Sequence, residues 1–112
     1  MSLTSDIIRG HTETIILAQL LEHDSYGYEI NKTISTLSSG RFELKEATLY
    51  TAFKRLEEAG HIASYWGDSG AGARRRYYTI TPSGRVACSQ LLREWEETRE
   101  IMNKLLTTEV EK

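Results

Sequence analysis

An α+β chain, mainly α, is the fold class this sequence predicts: three short helices, a β-hairpin, then one long helix. Three observations carry that expectation. Apolar residues recur at helical spacing in three successive stretches before residue 60. The period then drops to two over "HIASYW" and "RRRYYTIT". Finally, "TPSG" opens a long helical pattern that runs almost to the end of the 112 residues. That length suits one modest core. Hydrophobic residues make up 39% and charged residues 27%, the balance of a soluble globular chain.

The first helix is expected over 12–22, "TETIILAQLLE", with Ile15, Ile16 and Leu20 at helical spacing and Thr12 as N-cap. "HDS" breaks the pattern. In "YGYEINKTISTL", Tyr26, Ile30, Ile34 and Leu37 share a face, with Asp24 or Ser25 as cap. After the turn "SSGRFE" a third helix is expected over 45–59, closed by Gly60 as a left-handed C′ residue. The two β-type stretches flank "GDSGAGA", a Gly-rich loop, and so read as a hairpin. Thr81 is suited to cap the last helix and Pro82 to its first position, where a missing N–H costs nothing. That helix is expected over 83–106. This order is the winged helix-turn-helix arrangement, with the domain at 1–82 and a C-terminal dimerisation helix at 83–112.

Charge is unevenly spread. The chain carries a net −2, but residues 41–85 hold 8 basic and 5 acidic residues, a local net of +3. Screening limits distant charges to a reach of about 10 Å, so a basic patch on an acidic chain can still bind a polyanion.

The stretch "EATLYTAFKRLEEAGHI" locates such a patch. On a helical wheel Leu49, Ala52, Phe53 and Leu56 fall in a sector of about 100°, the width of a core-facing stripe. Ala47, Thr51, Lys54 and Glu58 lie opposite, flanked by Thr48, Tyr50 and Arg55. A helix entering the major groove needs little bulk near its start, short donors for phosphates and a few groups that reach base edges. Thr48, Tyr50, Thr51 and Lys54 meet that need; a solvated, threonine-rich face is the alternative. Arg74, Arg75 and Arg76 repel one another at the hairpin unless a partner neutralises them. Arg74 and Arg75 are expected to meet phosphate, and Arg76 has the further option of pairing with a carboxylate.

In the last helix Cys88, Leu91, Trp95, Thr98, Met102 and Leu105 are spaced 3, 4, 3, 4 and 3, a heptad seam. The stripe is too broad for the chain's own core, so a homodimer is expected. Trp95 either fills the interface or walls a cavity for a flat aromatic effector. Catalysis finds no constellation: the three histidines and single cysteine match no metal-ligand spacing, and no cofactor is expected. One cysteine, no signal segment and no membrane-length apolar run make the cytoplasm the expected compartment.

Three segments, "RGHTETIILAQLLEHDSYGYEI", "EATLYTAFKRLEEAGHIASYW" and "RRRYYTITPSG", together resemble the PadR family of bacterial transcriptional regulators over roughly residues 9–106. The resemblance implies a homodimeric winged-helix repressor on a pseudo-palindromic operator in double-stranded DNA. It places Thr48, Leu49 and Tyr50 on the recognition helix. It also implies, for some short members, an aromatic or drug-like ligand beside a last-helix tryptophan, where Trp95 stands here. The rival reading is a winged helix used as a protein-interaction module.

Overall fold

The computed structural model describes residues 2–68 and 74–107. The order is α1 (Leu3–Arg9), α2 (Thr12–Glu22), α3 (Gly27–Leu37), α4 (Glu46–Glu58), β1 (Ile62–Asp68), β2 (Arg74–Ile80) and α5 (Pro82–Leu106). The three expected helices, the hairpin and the long final helix are all present. Of the expected hairpin loop at 67–73, Gly67 and Asp68 instead extend β1, and 69–73 lie outside the described residues.

The apolar stripes meet as the periodicity requires, except at the end of α3, where Leu37 is 72% exposed rather than packed with Ile30 and Ile34. Ile16, Leu17 and Leu20 of α2, Ile30 and Ile34 of α3, and Leu49, Phe53 and Leu56 of α4 form one buried cluster with Tyr78 and Ile80 of β2. The strands pair antiparallel from Ile62 opposite Ile80 to Asp68 opposite Arg74. Ser25 adds a single bridge to Tyr78, exchanging both backbone hydrogen bonds (3.2 and 2.7 Å). That bridge ties the α2–α3 connection to β2 of the hairpin.

The α3–α4 connection turns through two left-handed residues, Ser39 (φ 57°) and Gly40 (φ 76°). Asn31 then fixes its far end. The Asn31 amide donates to the Leu44 carbonyl (2.7 Å) and its oxygen accepts from the Leu44 N–H (2.9 Å). A side chain thus completes a two-bond pairing that a strand would otherwise supply, one residue before the N-cap of α4. Gly60 follows α4 at φ 80°, the left-handed C′ residue expected.

α5 starts where the sequence places it, with Thr81 capping Gly84 N–H (3.0 Å) and Pro82 in the first turn. The Thr81 and Ser83 hydroxyls both donate to the Gly60 carbonyl (2.7 and 3.1 Å), which stitches α5 to the end of α4. Gly84 permits the approach: a Cβ there would lie 2.0 Å from the His61 carbonyl oxygen.

One helix is additional to those expected, two expected N-caps need correction, and a further point concerns the last helix. A short helix, α1, precedes the first expected one; none of its residues is buried, so no core stripe marks it in the sequence. His11, not Thr12, is the N-cap of α2, and the Thr12 hydroxyl instead donates back to the Arg9 carbonyl (2.6 Å). Tyr26, not Asp24 or Ser25, is the N-cap of α3. Asp24 accepts from the Tyr65 hydroxyl (2.6 Å), and Ser25 donates to Glu29. The heptad seam of α5 also divides. Cys88 is fully buried and Leu91 packs beside it against the chain's own core. From Leu92 to Thr107 every residue is exposed.

Candidate nucleic-acid interface

α4 buries Leu49, Ala52, Phe53 and Leu56, which holds the opposite face outward. Tyr50, Thr51, Lys54 and Arg55 are exposed there, and Thr48 is half-buried at its edge. No side chain caps the N-terminus of α4, so its first N–H groups remain for an outside acceptor. On one flank an open groove of about 620 Å³ separates α4 from the α1–α2 turn; Thr14, Thr48, Thr51, Arg55 and Leu91 are among its walls. Arg55 reaches across it to Glu13 (3.7 Å).

The other flank faces the wing. Tyr50 is 45% exposed and its ring meets Phe53 edge-on at 5.4 Å. Its hydroxyl lies against Gly27, where a Cβ would approach it to 2.6 Å. Tyr50 therefore leans toward α3 and β2 rather than standing clear among the threonines. A smaller cleft of about 280 Å³ results, lined by Tyr26, Gly27, Tyr28, Tyr50, Arg75 and Arg76.

Each wing arginine rests on an aromatic ring. Arg74 lies 5.4 Å from the Trp66 ring centre, Arg75 4.4 Å from Tyr26, and Arg76 5.8 Å from Tyr78. Ring contact orients a guanidinium without cancelling its charge. Arg75 also donates to the Tyr26 hydroxyl (3.0 Å). Arg76 differs because Glu57 of α4 stands 3.4 Å away. That is the carboxylate pairing open to it in the sequence, and Ser64 holds the same carboxylate (2.8 Å). Among the described residues, Arg74 and Arg75 have no carboxylate within ion-pair distance.

The hairpin's aromatic residues divide. Tyr78 is buried and stacks on Phe53 (3.9 Å, 18°), and burial pushes its hydroxyl pKa up. Tyr65 stacks on Tyr77 (5.6 Å), and the hydrogen bond to Asp24 raises its pKa. Both phenols thus stay neutral at ordinary pH, as wing struts. Trp66 is 58% exposed and its ring lies under the Arg74 guanidinium. Burial likewise raises the Cys88 thiol, which keeps it protonated and unreactive.

Along α5, Trp95 is 40% exposed and its ring meets His11 edge-on at 5.3 Å. Thr98, Met102 and Leu105 lie beyond it on the exposed part of the helix. No described helix is long and apolar enough to cross a membrane.

The transcriptional regulator PadR-like family model matches residues 16–90, which span α2 to the first turns of α5. The chain belongs to the PadR family. Its PadR fold is shared closely with a transcriptional regulator from Clostridium thermocellum. The two are 47% identical with a TM-score of 0.85, over 95% of this chain and 100% of that one. A PadR family transcription regulator from Clostridium difficile R20291 is 35% identical with a TM-score of 0.75, over 86% and 98%. An uncharacterized protein of Lysinibacillus sphaericus is 50% identical over 99 residues, 88% of this chain and 91% of that one. This PadR-family chain is thus a transcriptional regulator with a DNA-binding fold. The Asn31–Leu44 clamp and the Tyr50–Gly27 approach, which position its α4, join residues far apart in the sequence, and no periodicity announces them.

Proposed function

We propose that the protein is a homodimeric repressor that binds a pseudo-palindromic operator and blocks polymerase. The observation that carries this reading is the single surface formed by the outer face of α4 and the carboxylate-free pair Arg74 and Arg75. Thr48, Thr51 and Lys54 enter the major groove, Tyr50 reaches the duplex from the wing side, and Arg74 and Arg75 clamp the backbone. The exposed stretch of α5, with Trp95, Met102 and Leu105, pairs with its symmetry mate; Leu91 supports it from below. Two copies would then present their recognition helices about one turn apart, ~34 Å.

Selection from a random-sequence duplex pool tests this. Bound DNA should converge on an inverted repeat with half-sites about 10 bp apart, held by a protein that sizes as a dimer. Convergence on a single half-site, or a monomer, would contradict the dimeric operator reading.

An aromatic effector is part of the proposal. Trp95 is 40% exposed beside its contact with His11, which leaves part of the indole available for stacking at the dimer seam. Planar aromatic compounds should quench tryptophan emission saturably in a Trp66→Phe protein, and not after Trp95→Ala. Such a ligand regulates only if it binds one arrangement of the recognition helices better than the other.

A further inference from the structure

The cleft between the first turn of α3, Tyr50 and the start of β2 is lined by hydrogen-bond donors and no acid. The Tyr26 hydroxyl accepts from Arg75, but its own proton has no acceptor among the described residues. The Tyr28 and Tyr50 hydroxyls have no hydrogen-bond partner there either. Arg75 brings a positive charge oriented by the Tyr26 ring and offset by no carboxylate among the described residues. Arg76 adds a second guanidinium, partly neutralised by Glu57. Convergent donors with uncompensated positive charge select an anion that offers several acceptor oxygens.

We infer that this cleft seats one phosphodiester of the DNA backbone, with Arg75 supplying charge and Tyr26 and Tyr50 supplying oriented hydroxyl donors. The inference rests on the DNA-binding reading above and reassigns Tyr50 from base reading to backbone anchoring. Gly27 makes the seat possible, because any side chain there would displace the Tyr50 hydroxyl. The seat lies between recognition helix and wing, so one phosphate held in it fixes the register of both on the duplex.

Duplexes carrying an uncharged methylphosphonate at single positions test the seat, using the full chain and four variants. Arg75→Gln should flatten the salt dependence by about one unit of log–log slope per protomer. Tyr26→Phe and Tyr50→Phe should weaken binding by about ten-fold each at unchanged slope, because each removes a neutral donor to a charged acceptor. Gly27→Ala should melt like the wild type yet bind like Tyr50→Phe, since the added methyl clashes only with the movable tip of Tyr50 and meets Leu49 at an ordinary contact distance of 3.4 Å. One methylphosphonate position should weaken the wild type by about ten-fold or more and barely affect Arg75→Gln. Equal losses in both proteins at every position would overturn the seat, as would tyrosine variants that bind like the wild type. Failure of the DNA-binding reading looks different: the wild type itself would then show no salt-dependent binding to any duplex, and the seat would fall with it.

Discussion

Phe53→Ala is expected to destabilise the fold by about 3–5 kcal/mol. Phe53 is 1% exposed and its ring stacks on Tyr78 at 3.9 Å, with Tyr50 against its edge at 5.4 Å. It is thus the joint between the proposed recognition helix and the wing. Truncation removes a large buried area and leaves a cavity that rigid neighbours cannot close. Tyr78 loses its stacking partner while still pinned to Ser25 by the backbone bridge. A domain of this size has about 5–15 kcal/mol of total stability, so much of it would go. Urea unfolding should show a lower midpoint at an unchanged slope. A loss under about 1 kcal/mol would mean that the helix–wing joint is held elsewhere.

Arg74→Ala with Arg75→Ala should weaken binding to operator and to random duplex alike, and flatten the salt dependence by about one to two units of slope per protomer. Both guanidinium groups are held over rings and face no carboxylate among the described residues, so their charge is available for counterion release. Arg76→Ala is the internal contrast. Glu57 already offsets Arg76, so its removal should change the slope less. A larger effect from Arg76→Ala than from the pair would reverse that assignment of the wing.

The residues legible in the sequence are those whose role repeats along the chain. Leu49, Phe53 and Leu56 declare a buried face by spacing alone, and Thr81 with Pro82 marks a helix start by local chemistry. α1 escaped because its apolar residues, Leu3 and Ile7, are exposed and form no core stripe. Cys88 and Leu91 fit a heptad seam as well as they fit a core. Only the docking of the first turns of α5 on α2 decides that they face inward. Tyr50 had the right helix but the wrong neighbourhood, since its lean toward Gly27 depends on the packing of α3 against α4. Asn31 reads as a polar surface residue until Leu44 is brought beside it.

Backbone amide shifts of the isotope-labelled protein, titrated with a duplex selected for binding, test the central claim most directly. Binding through the α4–wing face predicts the largest changes at 26–28, 47–55 and 74–76, with 92–106 nearly silent. Changes confined to 92–106, with α4 and β2 unaffected, would contradict it and favour a winged helix that works through partners of its last helix.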